Sequence, residues 1–206
     1  MSLRIIAGSL KGRRIDSPEW EGLRPTSDRL RETLFNILAA RVDGALVLDG
    51  CAGTGALGIE ALSRGASEVV FVESDPRAAS LIAANLARCG VSDGYAIIRA
   101  DLGRVNEPAG SRRFGLILLD PPYAAPDVEC LLARAARWLA PDGWLVLEHA
   151  RRRTVPVHAG DLTCVRAVRS GDSALSFYRH DDAERLPAGT DGHRVDHEAD
   201  EDGQDD

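Results

Sequence analysis

An apolar run that ends at an acid and continues through glycines occupies Leu46-Val-Leu-Asp-Gly-Cys-Ala-Gly-Thr-Gly-Ala-Leu-Gly58. This pattern predicts a strand, a tight loop and the first turns of a helix. Gly53 and Gly55 lack a Cβ, so the backbone there can approach a bound nucleotide-like ligand closely. The stretch also satisfies G-x-G-x-x-G, and the acidic Glu73 follows about twenty residues later, so a nicotinamide-dependent oxidoreductase is one interpretation.

A second stretch favours a different class of enzyme. Leu116-Ile-Leu-Leu-Asp-Pro-Pro-Tyr123 predicts a buried strand that ends in Asp-Pro-Pro-Tyr. A dehydrogenase requires neither this motif nor Asp49 before the glycines. Asp49, Glu73 at the end of a second apolar run, and Asp-Pro-Pro-Tyr at the end of a later one together resemble the S-adenosylmethionine-dependent amino-methyltransferases.

Composition limits the size and the surroundings of the protein. A chain of 206 residues with 44% hydrophobic residues can bury one core, so we expect one domain with a small appendage. No apolar run approaches the length of a membrane span, and residues 1–7 lack a signal-peptide core. The four cysteines form no C-x-x-C pair, which predicts reduced thiols and no metal site. We therefore expect a soluble, cytoplasmic monomer.

The net charge of -7 is unevenly distributed. Residues 181–206 hold eleven acids against two arginines, a net charge of -9 that leaves +2 for the rest of the chain. This last stretch also has few apolar residues, so it predicts an acidic, disordered tail. Residues 1–14 contain four cations and no acid. A basic amino-terminal element that attracts a polyanion follows from this distribution.

The first forty residues predict a hairpin and a helix. Two short apolar runs flank Gly8-Ser-Leu-Lys-Gly12, which indicates a β-hairpin with a basic tip. Residues 23–38 form an amphipathic helix that begins at a capping residue among positions 26–28. The basic hairpin has two interpretations: it contacts the RNA backbone, or its cations are only exposed to solvent. Arg24, Arg29 and Arg31 on the helix carry the same two interpretations.

Four motifs together resemble the RsmD family of 16S ribosomal RNA methyltransferases. They are Arg24-Pro-Thr-x-Asp-Arg-Leu-Arg-Glu-x-Leu-Phe-Asn36, Ala52-Gly-Thr-Gly-Ala-Leu-Gly-x-Glu-Ala-Leu-Ser-Arg-Gly-Ala66, Phe71-Val-Glu73 and Asp120-Pro-Pro-Tyr123. The resemblance implies S-adenosylmethionine as methyl donor and the exocyclic N2 of a guanine in 16S rRNA as acceptor, at the position numbered 966. It also implies the small ribosomal subunit, or its assembly intermediate, as the setting. Asp-Pro-Pro-Tyr alone is equally compatible with adenine N6 in DNA or RNA, so that acceptor stays open.

The resemblance also implies roles for site residues. The carboxylate of Asp120 and the carbonyl of Pro121 accept the N–H bonds of the target amine, and Tyr123 stacks on the extruded base. Glu73 suits a ribose diol and Asp101 the adenine amino group; the alternatives are a cap of the next helix for Glu73 and a loop turn for Asp101. The expected catalytic residues are Asp120, Pro121, Pro122 and Tyr123. The expected cofactor-binding residues are Asp49, Cys51, Ala52, Gly53, Thr54, Gly55, Glu73, Ser74, Asp101 and Leu102. The expected RNA-binding residues are Arg4, Lys11, Arg13, Arg14, Arg24, Thr26 and Arg29.

One departure from the family pattern follows Asp49. Family members usually place Leu and an aromatic residue there, whereas this chain has Gly50 and Cys51. Cys51 takes the first-glycine position of the wider Gly-x-Gly-x-Gly pattern. Small size is preserved, but a packing surface is lost.

The order of the remaining patterns predicts the fold class. Strands are expected at 68–73, 95–99, 114–120 and 143–149, helices at 75–89 and 127–140, and a closing antiparallel hairpin at 163–170 and 174–179. Alternating strands and helices indicate a doubly wound α/β protein. The predicted architecture is a Rossmann-like class I methyltransferase fold with a seven-stranded, mostly parallel sheet and helices on both faces. Its parts are a basic hairpin extension at 1–26, the methyltransferase domain at 27–180 and the tail at 181–206. Three arginines at 151–153 are either solvated or add affinity for phosphate.

Overall fold

The computed structural model describes residues 2–17, 28–122 and 127–181. Arg24, Thr26, Tyr123 and the tail beyond residue 181 lie outside this part of the chain. No helix within it is long and apolar enough to cross a membrane.

Strands and helices alternate along the chain, as the sequence predicts. The strands are β1 Ser2–Arg4, β2 Arg14–Asp16, β3 Leu46–Gly50, β4 Glu68–Glu73, β5 Tyr95–Arg99, β6 Pro108–Ser111, β7 Phe114–Leu119, β8 Leu139–Ala150, β9 His158–Ala159, β10 Leu162–Ser170 and β11 Ser173–His180. The helices are α1 Asp28–Ile37, α2 Ala39–Val42, α3 Ala56–Ser63, α4 Pro76–Arg88 and α5 Val128–Ala136, with a short 3-10 helix at Leu102–Arg104.

One large sheet has the strand order β5-β4-β3-β7-β8-β11-β10-β9. The first five of these strands are parallel, and β11, β10 and β9 follow as antiparallel neighbours. The carboxyl ends of the parallel strands meet at one side of the sheet, which we call the carboxyl edge; the opposite side is the amino edge. The chain moves from β3 outward to β5 and then returns to β7, so the crevice between β3 and β7 is the switch point at which such sheets bind ligands. The class I methyltransferase fold is confirmed, with the two-residue β9 as an additional eighth strand.

The two faces of the sheet bury separate apolar clusters. The first face packs against the hairpin, α1, α3 and α4, and its core includes Ile15, Phe35, Phe71 and Trp144. The second face packs against α5 and the 3-10 helix. All four cysteines are free thiols.

The predicted helix at 127–140 is wrong at its carboxyl end. The helix stops at Ala136, and Leu139 already pairs with Phe114 as the first residue of β8. Pro141 disfavours helical backbone at the residue before it and lacks the N–H that a helix needs. The apolar residues 138–140 therefore belong to the turn and the strand.

The predicted amino-terminal hairpin consists of β1 and β2 and is docked on α3. The carboxylate of Glu60 accepts hydrogen bonds from the backbone N–H groups of Ile6 at 2.7 Å and Ala7 at 3.0 Å. Gly8 has φ +82° and lies so close to α3 that a Cβ would fall 1.7 Å from the carbonyl oxygen of Ser63. The connection between β1 and β2 is therefore fixed against the end of α3.

Candidate active site

The glycine loop joins β3 to α3 at the carboxyl edge. Gly53 and Gly55 have φ values of 55° and 77°, in the left-handed region that a Cβ disfavours. The loop turns directly into α3, whose Gly58 N–H donates to Oδ2 of Asp49 at 2.8 Å. Gly58 also allows α3 to pack closely on β4, because a Cβ there would lie 2.2 Å from the ring of Phe71. The three predicted glycines thus shape the loop and bring the helix against the sheet.

The buried side chain of Asp49 stabilises the glycine loop. Its side chain is 1% exposed, and burial is the main reason why its pKa rises from 3.8 to about 8. The hydrogen bond from Gly58 opposes this rise, and the nearby charge of Glu73 adds to it. In this geometry Asp49 holds the first turn of α3 in place beside the loop.

Glu73 connects the glycine loop to the next loop at the carboxyl edge. Its Oε2 accepts from the N–H of Gly53 at 2.8 Å, and its Oε1 accepts from the N–H of Asp75 at 2.8 Å. Ser74 Oγ lies 3.4 Å from the same Oε1. A carboxylate has further lone pairs, so these contacts orient Glu73 and leave it able to accept from a diol. The side chain of Asp75 accepts from Arg77 N–H and caps α4, so the capping role considered for Glu73 is filled by Asp75.

Cys51 occupies the centre of the carboxyl edge. It is the one non-glycine residue with positive φ, at 64°, among those described. Burial raises the pKa of its thiol to about 12, with further contributions from Glu73, Asp120, Asp49 and Asp101, so the thiol stays protonated. Four carboxyl groups from four separate loops and strand ends therefore act on this one position.

The residues around Cys51 fit S-adenosylmethionine. The donor has a sulfonium, an ammonium group and ribose hydroxyls, and all of these suit a concentration of carboxylates. Ala52, Thr54 and Leu102, which are also expected to contact the donor, are all buried at the same edge. Asp101 is exposed and accepts from Gly103 N–H at 2.7 Å, so it caps the 3-10 helix that follows β5 at the carboxyl edge. Its role at adenine stays a prediction.

The motif that follows β7 adjoins the glycine loop. The N–H of Asp120 faces the carbonyl oxygen of Gly50 at 3.4 Å, which places Asp120 at the end of β3. Asp120 is half-buried, Pro121 is buried and Pro122 is exposed. The acid and the first proline are thus held at the switch point next to the expected methyl donor.

Packing explains why glycine is present at position 50. A Cβ on Gly50 would lie 2.7 Å from Cδ2 of Leu119 and 2.8 Å from Cδ2 of Leu102. Two leucines from neighbouring elements fill the space that a larger residue would need. The packing surface expected to be missing is therefore supplied from elsewhere in the chain.

The basic residues of the hairpin lie together but not at the carboxyl edge. Arg4 pairs with Arg14 in the ladder, and Lys11 and Arg13 follow at the exposed tip. The tip contacts Ser63 at the end of α3, and α3 runs from the carboxyl edge to the amino edge. These cations consequently face solvent on the flank of the domain, distant from Asp120.

The two arginines of α1 have opposite environments. Arg29 is exposed, as the RNA-binding prediction requires. Arg31 is fully buried, and its Nη2 donates to the carbonyl of Arg4 and to Asp28, both at 2.7 Å. Arg31 therefore fastens α1 to β1, and the interpretation of this arginine as a solvated charge is wrong.

Asn85 on α4 was not predicted from the sequence, yet it joins the hairpin to the glycine loop. Its amide nitrogen donates to the carbonyl oxygens of Asp16 and Thr54, both at 3.0 Å, and its amide oxygen accepts from Asp16 N–H at 2.8 Å. The side chain is fully buried. In the sequence Asn85 is one polar position in an amphipathic helix, and its partners lie 69 and 31 residues away.

Comparisons with known proteins agree with this geometry. The model of the family described as Conserved hypothetical protein 95 matches residues 3–179. Ribosomal RNA small subunit methyltransferase D of Haemophilus influenzae is 37% identical over 150 residues, which are 71% of this chain and 78% of that protein. The protein of the same name from Escherichia coli K12 is 31% identical over 181 residues, covering 87% of this chain and 90% of that protein.

Solved structures share the same architecture. The yhhF protein of Escherichia coli superposes with a TM-score of 0.74 at 31% identity, covering 89% of this chain and 100% of that one. SMU.776, solved in complex with SAH, has a TM-score of 0.63 at 16% identity and covers 72% of this chain and 48% of its own. At that identity the likeness concerns the fold alone.

Proposed function

The chain belongs to the RsmD family, and on that basis we propose that it methylates the exocyclic N2 of a guanine in 16S ribosomal RNA. The coarser assignment is direct: the protein is an RNA methyltransferase, S-adenosylmethionine is its methyl donor, and ribosomal RNA is its substrate class. The guanine N2 acceptor, its position 966 and the small subunit as the setting are the proposed part.

The position of Asp120 carries the proposal. The Asp120 N–H faces the Gly50 carbonyl at 3.4 Å, so the amino-methyltransferase motif stands at the same switch point as the glycine loop. S-adenosylmethionine supplies an electrophilic methyl group there. We assign the Asp120 carboxylate and the neighbouring Pro121 carbonyl as the two acceptors for the entering amine.

The amine of guanine needs such acceptors because its lone pair is delocalised into the ring. Hydrogen bonds from its two N–H groups to Asp120 and Pro121 localise that lone pair on N2 and align it for attack. The ring of Pro121 fixes its φ, and Pro122 after it restricts its ψ to extended values, so the two prolines together limit the direction of the Pro121 carbonyl. As the bond from N2 to the methyl carbon forms and the carbon–sulfur bond breaks, the surplus proton passes to water.

Base recognition is assigned to Tyr123 and RNA attachment to the basic residues. We propose that Tyr123 stacks on the extruded guanine, as aromatic residues do with unstacked bases. Arg4, Lys11, Arg13, Arg14 and Arg29, together with Arg24 and Thr26 outside the described residues, are proposed to contact the RNA backbone. Because the hairpin tip lies on the flank, these contacts involve RNA remote from the target base.

The proposal is tested by methyl transfer and base mapping. Purified protein is incubated with labelled S-adenosylmethionine and either transcribed 16S RNA or assembled small subunits, and the modified nucleotide is identified. Label on N2 of a guanine is expected, and label on adenine N6 would overturn the acceptor assignment.

The role of Asp120 is tested separately from cofactor binding. Asp120→Ala is expected to abolish transfer and leave the affinity for S-adenosylhomocysteine within about threefold of the wild-type value. Asp142→Asn, which changes an exposed acid near the start of β8, is the matched control and should retain activity. If folded Asp120→Ala loses cofactor affinity as much as activity, Asp120 serves the cofactor and not the amine.

A further inference from the structure

Charge is divided along the carboxyl edge. The half formed by β5, β4, β3 and β7 holds the four carboxyl groups that act on Cys51. The half formed by β8, β11 and β10 holds three arginines, Arg151, Arg152 and Arg169, which we call the edge arginines. All three are exposed, and none takes part in the ion pairs found among the described residues. We call these the acidic half and the basic half. The acidic half also holds the exposed Arg99 and Arg104, and the basic half also holds the buried Glu148, level with Asp120.

The target-amine position lies at the border between the two halves. Leu119 pairs with Leu147, so Asp120 is level with the last residues of β8. With a rise of about 3.3 Å per residue and strands about 4.8 Å apart, the Cα atoms of Asp120 and Arg151 are roughly 11 Å apart. That separation is about what a nucleotide requires when its base reaches Asp120 and its phosphate stays over the basic half.

The strand ladder brings Arg169 to within two residues of the level of Arg151. Arg169 pairs with Ala174, and Ala174 pairs with His149, two residues before Arg151. The N–H of Arg151 donates to the carbonyl of Asp172 at 2.7 Å, which ties the end of β8 to the turn between β10 and β11. The backbone that presents the edge arginines is therefore fixed before any ligand binds.

A hollow of about 690 Å³ opens between these elements and is lined by Ala150, Arg151, Arg152 and Asp172. The hollow is shallow and open to solvent, so its chemistry is that of the side chains around it. Among the described residues on its lining, Asp172 is the one acid, against two arginines. A guanidinium presents paired donors that match phosphate oxygens, so the hollow favours an anionic backbone.

We propose that the edge arginines bind the backbone phosphates of the RNA strand that contains the target nucleotide. This inference rests on the proposed function and adds the path of the substrate. In this arrangement the strand crosses the ends of β8, β11 and β10, and the target base reaches from there to Asp120. The hairpin cations hold a second, remote part of the RNA, and the edge arginines add affinity for the strand beside the target nucleotide.

The test compares two double variants with equal changes of charge. The first is Arg151→Gln with Arg152→Gln. The control is Arg41→Gln with Arg137→Gln, two exposed arginines near the amino edge, on α2 and at the end of α5. Binding of transcribed 16S RNA is measured in the presence of S-adenosylhomocysteine over a range of salt concentrations, and methyl transfer is measured at varied RNA concentration.

The edge variant is expected to bind RNA about tenfold more weakly at low salt, since an exposed charge pair contributes a few-fold each. Its plot of log affinity against log salt should be shallower by about 1.4, because each contact to a single strand contributes about 0.7. The KM for RNA should rise, while kcat and the KM for S-adenosylmethionine stay within about twofold. Arg151→Lys with Arg152→Lys should regain most of the slope.

The outcomes separate the two proposals. If the wild-type protein methylates guanine N2 and the edge variant keeps the wild-type slope and KM, the edge arginines do not contact RNA and the proposed function stands. If the control variant loses as much slope as the edge variant, the effect is one of net charge, which also overturns the inference. If the wild-type protein transfers no methyl group to either RNA substrate, the proposed function itself is wrong.

Discussion

Cys51 is small enough for the glycine-loop motif, but its side chain makes the backbone conformation of the loop less favourable. The position requires left-handed backbone, with φ at 64°, so that the chain can leave β3 and enter the glycine loop. A side chain in this region costs roughly 1–2 kcal/mol relative to glycine, because Cβ approaches the following carbonyl. The half-buried thiol recovers part of this cost by packing against the second apolar cluster. The loop is thus formed by a residue that is small enough but conformationally unfavourable.

Replacing Cys51 by glycine is expected to stabilise the protein. The relief of backbone strain exceeds the extra chain entropy of glycine and the lost packing, which leaves a net gain of about 1 kcal/mol in the free energy of unfolding. Urea denaturation of the cofactor-free protein measures the change. Cys51→Ala is the matched control, because it removes the sulfur and keeps the strain, and it should be no more stable than the wild-type protein. Equal stabilisation by both variants would show that the thiol, and not the backbone, is unfavourable.

Asp49 predicts a dependence of stability on pH. Its pKa rises from 3.8 to about 8 in the folded state, mainly through burial. Between these values the folded state holds a proton that the unfolded chain has released, so the free energy of unfolding falls as the pH rises from about 4 to 8. Asp49→Asn keeps an oxygen for the Gly58 N–H and cannot ionise. In this variant the free energy of unfolding should not show the decrease that Asp49 causes in the wild-type protein, which amounts to roughly 3 kcal/mol between pH 5 and 8.

The measurement is the free energy of unfolding at several pH values for the wild-type protein and for Asp49→Asn. Asp142→Asn, which removes an exposed carboxylate, serves as the control and should follow the wild-type profile. Parallel profiles for the wild-type protein and Asp49→Asn would mean that Asp49 stays ionised in the folded state.

Among the elements, α4 connects the hairpin to the cofactor loop through Asn85. Its three hydrogen bonds satisfy both backbone groups of Asp16 and the carbonyl of Thr54. The exposed ion pair between Arg88 and Asp16 adds a second link from the same helix. Because Thr54 belongs to the glycine loop, the position of the hairpin and the shape of the loop depend on one buried side chain.

Removing this amide should loosen the hairpin from the domain. Asn85→Ala leaves three buried or half-buried backbone groups without their partner, and a loss of about 3 kcal/mol in the free energy of unfolding is expected. Asn85→Asp should be at least as destabilising, since it keeps the acceptor for Asp16 N–H but loses both donors and places a charge beside two carbonyls. Asn36→Ala, an exposed change on α1, is the control and should alter stability by less than about 0.5 kcal/mol.

Denaturation gives these values, and limited proteolysis shows whether the hairpin is released first. If Asn85→Ala stays within about 0.5 kcal/mol of the wild-type protein, the hairpin is held by Glu60 and Arg31 without help from α4.

The elements follow from the sequence wherever local pattern and tertiary pairing agree. The strands at Glu68–Glu73 and Tyr95–Arg99 have the predicted bounds, because continuous apolar runs between turn residues match buried parallel strands. The end of α5 does not follow, since the residues at 138–140 suit a helix as well as a strand. Pairing of Leu139 with Phe114 decides between the two, and that contact is not local.

The site shows the same division. The acids and glycines at strand ends were predictable because parallel strands bring their carboxyl ends together, as Asp49 and Asp120 illustrate. Glu60 and Asn85 were not, because an acid and an amide on amphipathic helices usually face water. Only the folded chain shows that the hairpin backbone covers them and requires their hydrogen bonds.

At the scale of the whole molecule, acidic and basic residues lie near different ligands. Carboxyl groups surround the position of a cationic methyl donor, and arginines occupy the flank and the basic half of the carboxyl edge. The chain beyond residue 181 is acidic and opposes the positive charge of these arginines. It contains ten acids and two arginines, a net charge of -8, whereas the residues before it sum to +1. The family match ends at residue 179, so the acidic stretch lies outside it.

A chain that ends at Asp181 should therefore associate with RNA faster. Removing a net charge of -8 changes the protein from net negative to slightly positive, and the attraction between its arginines and the RNA backbone is no longer opposed. We expect the association rate with transcribed 16S RNA to increase about tenfold at 50 mM salt and to converge with that of the full chain near 0.5 M, where the screening length is only a few ångströms. Stopped-flow association at several salt concentrations measures this effect.

A full-length variant with the ten tail acids changed to their amides should behave like the truncated chain, since charge and not length is responsible. Equal rates for all three proteins at low salt would show that the tail exerts no field on the RNA-binding surface, while S-adenosylhomocysteine affinity should be the same in each.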